Sequence, residues 1–236
     1  MILAAGRGER MRPLSDATPK PLLRAGGKPL IVWQIEALAR AGFHDIVINA
    51  AHRADQLVAA LGDGGRFDVQ IGWSREAEPL ETAGGVATAI DLLAPGPALI
   101  VSADIWTRFD YASLHSRIDG MRRAPADAAS MHLVMVPNPP YHPRGDFALL
   151  GERIEREGGE RLTFGNIGVY DTALFRELPR GVKLKMLPLY HERIGRGLVT
   201  GERYDGPWAN VGTPADLAAL DAALGSGSEQ QASLLP

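Results

Sequence analysis

Cationic side chains cluster around a glycine-rich turn near the start of the chain. Residues Leu3–Leu22 read LAAGRGERMRPLSDATPKPL, in which an apolar run stops at Gly6 and a second glycine follows at Gly8. Glycines leave backbone N–H groups open to the oxygens of a phosphate. Without an anion, the clustered cations would repel one another. These cations are Arg7, Arg10, Arg12 and Lys20. The segment therefore predicts a phosphate-binding loop.

This loop differs from two common nucleotide-binding motifs. Gly27-Lys28 is followed by proline and lacks the glycine that a Walker A loop has five residues before it. The third glycine of a dinucleotide fingerprint is replaced by Met11. The pattern thus favours phosphate binding without indicating an ATPase or a dehydrogenase.

Asp104 is the second candidate for chemistry. It follows the apolar run Ala98–Ser102, which predicts a strand. Open α/β sheets bind ligands at the carboxyl ends of their strands, and a carboxylate beside a triphosphate is a natural Mg²⁺ ligand. The alternative role is a cap for the segment that follows. We expect a metal ligand here.

The surrounding pattern predicts the elements that position these residues. Predicted strands are Met1–Ala5, Asp45–Ala50, Val69–Trp73, Ala98–Ser102, Ala128–Val136 and Arg161–Tyr170. Predicted helices are Pro29–Ala41, Ala54–Leu61, Gly84–Leu93, Phe109–Met121, Leu184–Arg196 and Pro214–Leu224. Strands that alternate with helices predict βαβ units, hence an α/β fold with a mixed, mostly parallel sheet flanked by helices. We expect one domain over residues 1–224 and a disordered, Gly/Ser-rich tail over 225–236.

Composition narrows the function classes. The chain has 236 residues, a formal net charge of −3 and no cysteine. Disulfides, thiolate metal sites and cysteine nucleophiles are excluded. The charge balance argues against a general grip on nucleic acid or anionic membranes. We found no apolar run of the ~18 residues that a transmembrane helix needs and no signal peptide. We therefore expect a cytoplasmic protein without nucleic-acid or membrane partners.

Five motifs in order resemble those of the sugar-1-phosphate nucleotidyltransferases. The pattern G-x-G-x-R-M-x-P followed by T-P-K-P-L is similar to the family signature. The further motifs are Pro79–Gly85 (PLETAGG), Ser102–Asp104 (SAD), Gly165–Gly168 (GNIG) and Trp208–Pro214 (WANVGTP). The resemblance covers roughly residues 1–224. It implies the Rossmann-like nucleotide-diphospho-sugar transferase fold.

The resemblance also implies roles for individual residues. Arg10 would grip the triphosphate and Lys20 would lie near the α-phosphate, both as catalytic residues. Further nucleotide-binding residues would be Leu3, Ala4, Ala5, Gly6, Gly8, Glu9, Asn49, Pro79, Glu81, Thr82, Gly84 and Gly85. Metal ligands for Mg²⁺, with Mn²⁺ as a substitute, would be Asp104 and Asn210. Residues contacting the sugar phosphate would be Asn166, Gly168 and Lys185.

Several of these positions have structural alternatives. Asn210 stands where many relatives have aspartate, so its amide oxygen would ligate the metal without charge. Asn166 also suits a buried structural asparagine, and Lys185 a surface lysine at a helix start. Thr82 also suits a plain helix N-cap.

The implied reaction is an in-line attack by a sugar-phosphate oxygen on the α-phosphorus of a nucleoside triphosphate, which expels pyrophosphate. The sequence segments EPLETAGGV, VSADIWT and KMLPL resemble those of the subgroup that joins UTP to N-acetylmuramate α-1-phosphate in peptidoglycan recycling. The alternative is the mannose-1-phosphate guanylyltransferase subgroup, which makes GDP-mannose and usually continues into a hexapeptide-repeat domain. A non-catalytic nucleotide-sugar sensor is disfavoured because Lys20 and Asp104 are both present. We expect small-molecule substrates and a monomer or homodimer.

Muramate carries a carboxylate that glucosamine lacks, so a pocket that selects it needs an additional cation. Three cations lie in segments that the sequence allows to reach the sugar. They are Arg108, Arg144 and Lys183.

Overall fold

A computed structural model describes residues 1–125 and 128–225. Its strands are β1 (Ile2–Leu3), β2 (Arg24–Ala25), β3 (Lys28–Pro29), β4 (Asp45–Ala50), β5 (Gln70–Arg75), β6 (Pro97–Ser102), β7 (Ile105–Thr107), β8 (Met131–Val136), β9 (Phe147–Leu150), β10 (Arg153–Glu155), β11 (Arg161–Asp171), β12 (Val199–Arg203) and β13 (Trp208–Asn210). Its α-helices are α1 (Leu14–Ala17), α2 (Leu30–Arg40), α3 (Ala54–Leu61), α4 (Glu81–Thr88), α5 (Leu114–Arg123), α6 (Ala173–Arg176), α7 (Leu187–Gly195) and α8 (Pro214–Gly225). Short 3₁₀ helices cover Glu9–Met11, Lys20–Leu22, Gly65–Phe67, Ile90–Leu92 and Tyr111–Ser113.

These residues form two compact units. Unit 1 comprises Met1–Leu80, Ser102–Ala112 and the described residues from Gly206 onward. Unit 2 comprises Glu81–Val101 and the described residues of Ser113–Asp205.

Parallel strands build the centre of unit 1. β4 pairs in parallel with β1 on one side and with β5 on the other. Residues 46–50 of β4 are all buried, as expected for a parallel strand covered on both faces. The register sets Asn49 opposite Leu3 and Ser74, so the ends of these strands meet where the glycine turn begins.

Helix α2 fixes the strand that follows Asp104. Its apolar face buries Leu30, Ile35 and Leu38 at helical spacing. From the same helix, the buried Gln34 side chain donates to the carbonyl oxygen of Ile105 at 2.6 Å. Because Ile105 opens β7, this hydrogen bond anchors the backbone next to Asp104.

Unit 2 is built around β11. This strand pairs antiparallel with β6 and β8, and its start pairs with β9. β8 and β12 pair in parallel, while β10 pairs antiparallel with β12 and β9. Buried residues of the unit include Met131, Leu133, Ile167, Val169 and Phe175. Only two residues separate β9 from β10, a connection that is short enough for an antiparallel hairpin but not for a parallel pair.

The mixed α/β class and most predicted elements are confirmed. Asp45–Ala50 and Ala54–Leu61 have the predicted bounds. Three helices differ. The predicted Gly84–Leu93 helix starts earlier, at Glu81, and ends at Thr88. The predicted Phe109–Met121 helix begins only at Leu114 after a 3₁₀ turn, and the predicted Leu184–Arg196 helix begins only at Leu187.

The domain prediction stays a prediction. Gly225, which was expected in the tail, ends helix α8. The rest of the predicted tail, residues 226–236, lies outside the described residues.

Candidate active site

The glycine turn in unit 1 leads directly from β1. Ala4 and Ala5 are buried, whereas Gly6, Glu9 and Arg10 are exposed. Gly8 has a left-handed backbone, with φ of 65°, and begins the Glu9–Met11 3₁₀ helix. A Cβ at Gly8 would lie 3.1 Å from the Cβ of Lys20. Glycine therefore serves two purposes here, since it supplies the positive φ and lets the turn lie against Lys20.

Lys20 and Asp104 form a close ion pair. The two flanking prolines restrict the backbone of Lys20, and its side chain is 11% exposed. Its Nζ lies 2.6 Å from Oδ2 of Asp104, whose side chain is 32% exposed. Such a charge-assisted hydrogen bond orients both groups. The two residues thus meet at the carboxyl end of a strand, although 84 positions separate them in the chain.

Asn210 is held beside Asp104 by a two-stranded ribbon. β7 and β13 pair antiparallel, with Asn210 opposite Ile105. The N–H of Val211 donates to the carbonyl oxygen of Asp104 at 2.8 Å. The two predicted metal ligands therefore sit on adjoining backbone segments.

The donor set at this position suits Mg²⁺. Asp104 and Asn210 offer hard oxygen ligands, and Mg²⁺ is commonly held by one or two protein oxygens together with substrate phosphates. No group of three or more His, Cys, Asp or Glu side chains in the described part of the chain could hold a metal. A metal at Asp104 would therefore need oxygens from the triphosphate.

Arg10 projects toward the segment after β13. Its two terminal guanidinium nitrogens lie 3.4 Å from the point where a Cβ on Gly212 would stand. The carboxylate of Asp216 accepts hydrogen bonds from the N–H groups of Gly212 and Thr213 at 3.0 and 2.7 Å. Asp216 thus fixes the backbone against which Arg10 lies. Over the described residues, Arg10 has no ion-pair partner.

Asn49 lies in the predicted place but is buried, at 3% exposure. Its Oδ1 accepts the N–H of Ala4 at 2.8 Å, and its Nδ2 donates to Oε1 of Glu76 at 2.7 Å. The other carboxylate oxygen of Glu76 accepts the N–H of Leu80 at 3.0 Å. Burial raises the pKa of Glu76 above its usual range. Asn49 stays a predicted nucleotide-binding residue, but its polar atoms already bond protein groups.

Unit 2 carries most of the predicted base-binding residues. Glu81 opens α4 with a positive φ of 62°, and Thr82 follows in the first turn. Gly84 and Gly85 are buried in the helix. The N–H groups of Ala83 and Gly84 donate to the carbonyl oxygen of Leu184 at 3.0 and 3.1 Å. A carbonyl from a distant segment therefore caps α4, which explains its early start.

The same contact positions Lys185. Because Leu184 bonds the first turn of α4, the exposed Lys185 that follows lies close to this helix start. The predicted base-binding and sugar-phosphate-binding segments of unit 2 therefore adjoin.

The sugar-contacting strand has an irregular stretch at the predicted residues. The pairing of β11 with β8 shifts register between Phe164 and Gly168, and Asn166 has a φ of 57°. Gly168 is buried, and a Cβ there would lie 2.7 Å from the Tyr170 ring. Gly168 is thus required for packing, whatever it does for a substrate. Asn166 remains half-buried.

A loop before β9 is anchored to this strand. Asp146 accepts the N–H of Phe164 at 2.8 Å and contacts His142 at 3.1 Å. Arg144 lies in this loop and lines a cavity of about 850 Å³ with Tyr141 and Arg161. By contrast, Arg108 belongs to unit 1 and lines a cavity of about 590 Å³ there with Trp33 and Trp106. Sequence reasoning did not single out Asp146, Asp216 or Glu76, because their local sequence patterns resemble those of surface acids.

Comparison with known families decides what this arrangement is. The nucleotidyl transferase family model matches residues 1–140. The chain belongs to the nucleotidyl transferase family. The predicted family is therefore confirmed, and with it the prediction of a nucleotidyltransferase enzyme.

Individual members of the nucleotidyl transferase family extend the comparison. The N-acetylmuramate alpha-1-phosphate uridylyltransferase of Neisseria meningitidis serogroup B is 43% identical over 230 residues, which cover 96% of this chain and 98% of that protein. The mannose-1-phosphate guanyltransferase of Aspergillus fumigatus is 31% identical over 229 residues, which cover 92% of this chain and 61% of that protein.

Solved structures support the same fold. A Bacillus anthracis protein named as a glucose-1-phosphate thymidylyltransferase and crystallised with sucrose has a TM-score of 0.81 at 20% identity. The match covers 99% of this chain and 97% of that chain. This confirms the predicted nucleotide-sugar transferase fold. Among the described residues, no helix is both long and apolar enough to cross a membrane.

Proposed function

We propose that this nucleotidyltransferase transfers UMP from UTP to N-acetylmuramate α-1-phosphate, giving UDP-N-acetylmuramate and pyrophosphate. The observation that carries the proposal is the 43% identity to the Neisseria meningitidis uridylyltransferase over nearly the whole length of both chains. The Lys20–Asp104 pair supports it, because both groups that the chemistry requires are in contact.

The chemistry joins two anions, so charge neutralisation and positioning supply most of the catalysis. The turn at Gly6 and Gly8 and the guanidinium of Arg10 bind the triphosphate. Lys20 directs its ammonium at the α-phosphate, where charge accumulates as the sugar-phosphate oxygen attacks and pyrophosphate departs. This displacement requires no nucleophilic side chain, because the sugar-phosphate oxygen is itself the nucleophile.

Asp104 would hold Mg²⁺, and Asn210 would add a neutral oxygen ligand. When bound, the ion supplies positive charge to the phosphate oxygens. Asp104 also orients Lys20, since one of its oxygens accepts the lysine proton. In this scheme the second carboxylate oxygen is the one that remains for a metal. Mn²⁺ has the same preference for oxygen ligands and would substitute.

The residues of unit 2 would select the base and the sugar. In our proposal Glu81, Thr82 and the glycines of α4 border the base. Asn166 hydrogen-bonds sugar hydroxyls, and Lys185 contacts the acceptor phosphate. Of the three candidate cations for the lactyl carboxylate, we favour Arg144, because its loop is hydrogen-bonded to β11.

The guanylyltransferase alternative is less well supported. The Aspergillus fumigatus relative is 31% identical and is covered over only 61% of its length. A non-catalytic sensor does not require the contact between Lys20 and Asp104. Peptidoglycan recycling and a cytoplasmic location are further parts of the proposal and rest on the same resemblance to the muramate subgroup.

A pyrophosphate-release screen tests the assignment. The four ribonucleoside triphosphates and dTTP are each combined with N-acetylmuramate, N-acetylglucosamine, glucose and mannose 1-phosphates, with Mg²⁺ present. We expect UTP with N-acetylmuramate α-1-phosphate to give the highest kcat/KM. The Lys20→Ala variant, purified in parallel, controls for contaminating activity. Highest turnover with GTP and mannose 1-phosphate would instead establish the guanylyltransferase alternative.

A further inference from the structure

A series of three buried hydrogen bonds in unit 1 links two backbone N–H groups that are far apart in sequence. It runs from the N–H of Ala4 through Asn49 and Glu76 to the N–H of Leu80, with donor–acceptor distances of 2.8, 2.7 and 3.0 Å. Asn49 is 3% exposed and Glu76 is 6% exposed. Both side chains therefore hydrogen-bond to protein groups and are shielded from water.

The two residues at the ends of this hydrogen-bond series, Ala4 and Leu80, are the important positions. Ala4 stands two residues before Gly6, where the phosphate-binding turn begins. Leu80 stands between Pro79 and Glu81, both predicted to border the base. Each end thus fixes the backbone of a segment that the proposed function uses.

We infer that Asn49 and Glu76 are positioning residues that, within unit 1, hold the backbone of the phosphate-binding turn and the backbone at Pro79–Leu80 in register for the nucleotide. The inference rests on the proposed nucleotide site. It reassigns Asn49 from direct contact with the nucleotide to support of the backbone that contacts it, and it adds Glu76, which the sequence did not single out.

The bonding pattern requires these side-chain types. Ala4 and Leu80 each offer a backbone N–H donor, so the side chain at each end of the hydrogen-bond series must supply an acceptor. Asn49 accepts with its oxygen and passes on a donor through its amide nitrogen. Glu76 must then accept at both of its terminal oxygens, one from Asn49 and one from Leu80, which a carboxylate does and a glutamine, with a single terminal oxygen, cannot.

Three variants test this bonding pattern. In Glu76→Gln, a single amide oxygen faces two donors, so one buried donor is left unpaired. In Asn49→Asp, two carboxylates face each other across the central bond. Combining both changes reverses the central hydrogen bond: the aspartate accepts from Ala4 and from the new amide nitrogen, while the glutamine oxygen accepts from Leu80. The double variant thus restores every pairing.

The measured quantities are the KM for nucleotide, the KM for sugar phosphate, kcat, the equilibrium binding of UTP and GTP, and the melting temperature. We expect each single variant to raise the nucleotide KM about 10-fold, from one unpaired buried donor in Glu76→Gln and from two facing buried carboxylates in Asn49→Asp, while the sugar-phosphate KM changes by less than about 2-fold. We expect the double variant to return to within about 3-fold of the parent. Asp45→Asn serves as the control, because it removes a carboxylate at an exposed position of the same strand.

Two results would overturn the inference. One is a double variant as impaired in nucleotide binding as the worse single variant. The other is single variants that lower the melting temperature but bind nucleotide as the parent does. The hydrogen-bond series would then be purely structural. Failure of the proposed function is separable, because it would appear as a preference of the parent for GTP in the same binding measurements. The variant series would then be measured with GTP, and its pattern would still decide the role of Asn49 and Glu76.

Discussion

Replacing Asp104 by asparagine removes the negative charge of the one charged residue among the two predicted metal ligands. The size of the side chain is unchanged. In the structure one carboxylate oxygen of Asp104 accepts from Lys20 at 2.6 Å. The amide oxygen of the variant still accepts this proton, but without a negative charge. The variant therefore separates the charge of Asp104 from its shape.

The expected loss of turnover is at least ~100-fold. Removing one main electrostatic stabiliser of a transition state typically costs 10²–10³-fold in rate, or about 2.7–4 kcal/mol. The cost in stability should be smaller. A hydrogen bond to a charged group contributes about 1.5–3 kcal/mol, and the 32% exposure of Asp104 reduces this through solvent screening to about 1 kcal/mol.

The assay is steady-state pyrophosphate release over a Mg²⁺ titration, together with thermal unfolding. If Asp104 ligates the metal, Asp104→Asn should shift half-maximal activity to at least about 10-fold higher Mg²⁺, and chelation should abolish the parent's turnover. Asp45→Asn is the matched control, because it makes the same exchange at an exposed position outside the predicted site. It should behave as the parent.

A double variant distinguishes a metal ligand from a residue that only orients Lys20. If Asp104 acted solely through Lys20, then adding Asp104→Asn to Lys20→Ala would cause no further loss. An independent metal role predicts a further loss and the same shift in Mg²⁺ dependence. Full activity of Asp104→Asn, or an unchanged Mg²⁺ titration, would refute the assignment.

Three other outcomes are expected. Arg10→Ala should lower turnover about 100-fold with a melting temperature within about 2 °C of the parent, because the side chain is exposed and acts on phosphates; unfolding of this variant would mean that Arg10 is structural. UTP with N-acetylmuramate α-1-phosphate should exceed UTP with N-acetylglucosamine 1-phosphate by at least about 10-fold in kcat/KM, from one charge-assisted hydrogen bond, and Arg144→Met should remove most of this preference; an unchanged preference would exclude Arg144. Because burial raises the pKa of Glu76 above 4.5, its contribution to stability is present below pH 4.5 and is lost as the pH rises through the raised pKa. Relative to the parent, Glu76→Gln should therefore be more stable at pH 7 than at pH 4.5 in denaturant titrations, and the opposite trend would contradict this.

Much of the fold and the chemistry could be predicted from local patterns. The strand Asp45–Ala50 and the helix Ala54–Leu61 have the predicted bounds because apolar periodicity and flanking glycines act over a few residues. The glycine turn with its cations predicts a phosphate site from an equally local pattern, and this stays a prediction.

Contacts between distant segments were decided by the tertiary structure. Lys20 and Asp104 are 84 positions apart, and only the packing of β7 and its neighbours brings Nζ within 2.6 Å of the carboxylate. Asn49 illustrates the limit. Its place at a strand end was visible in the sequence, but its hydrogen bonds depend on the register with β1 and on Glu76, 27 positions later. The type and spacing of a residue determine which chemistry it can perform. Which residues it contacts depends on how distant segments of the chain fold together.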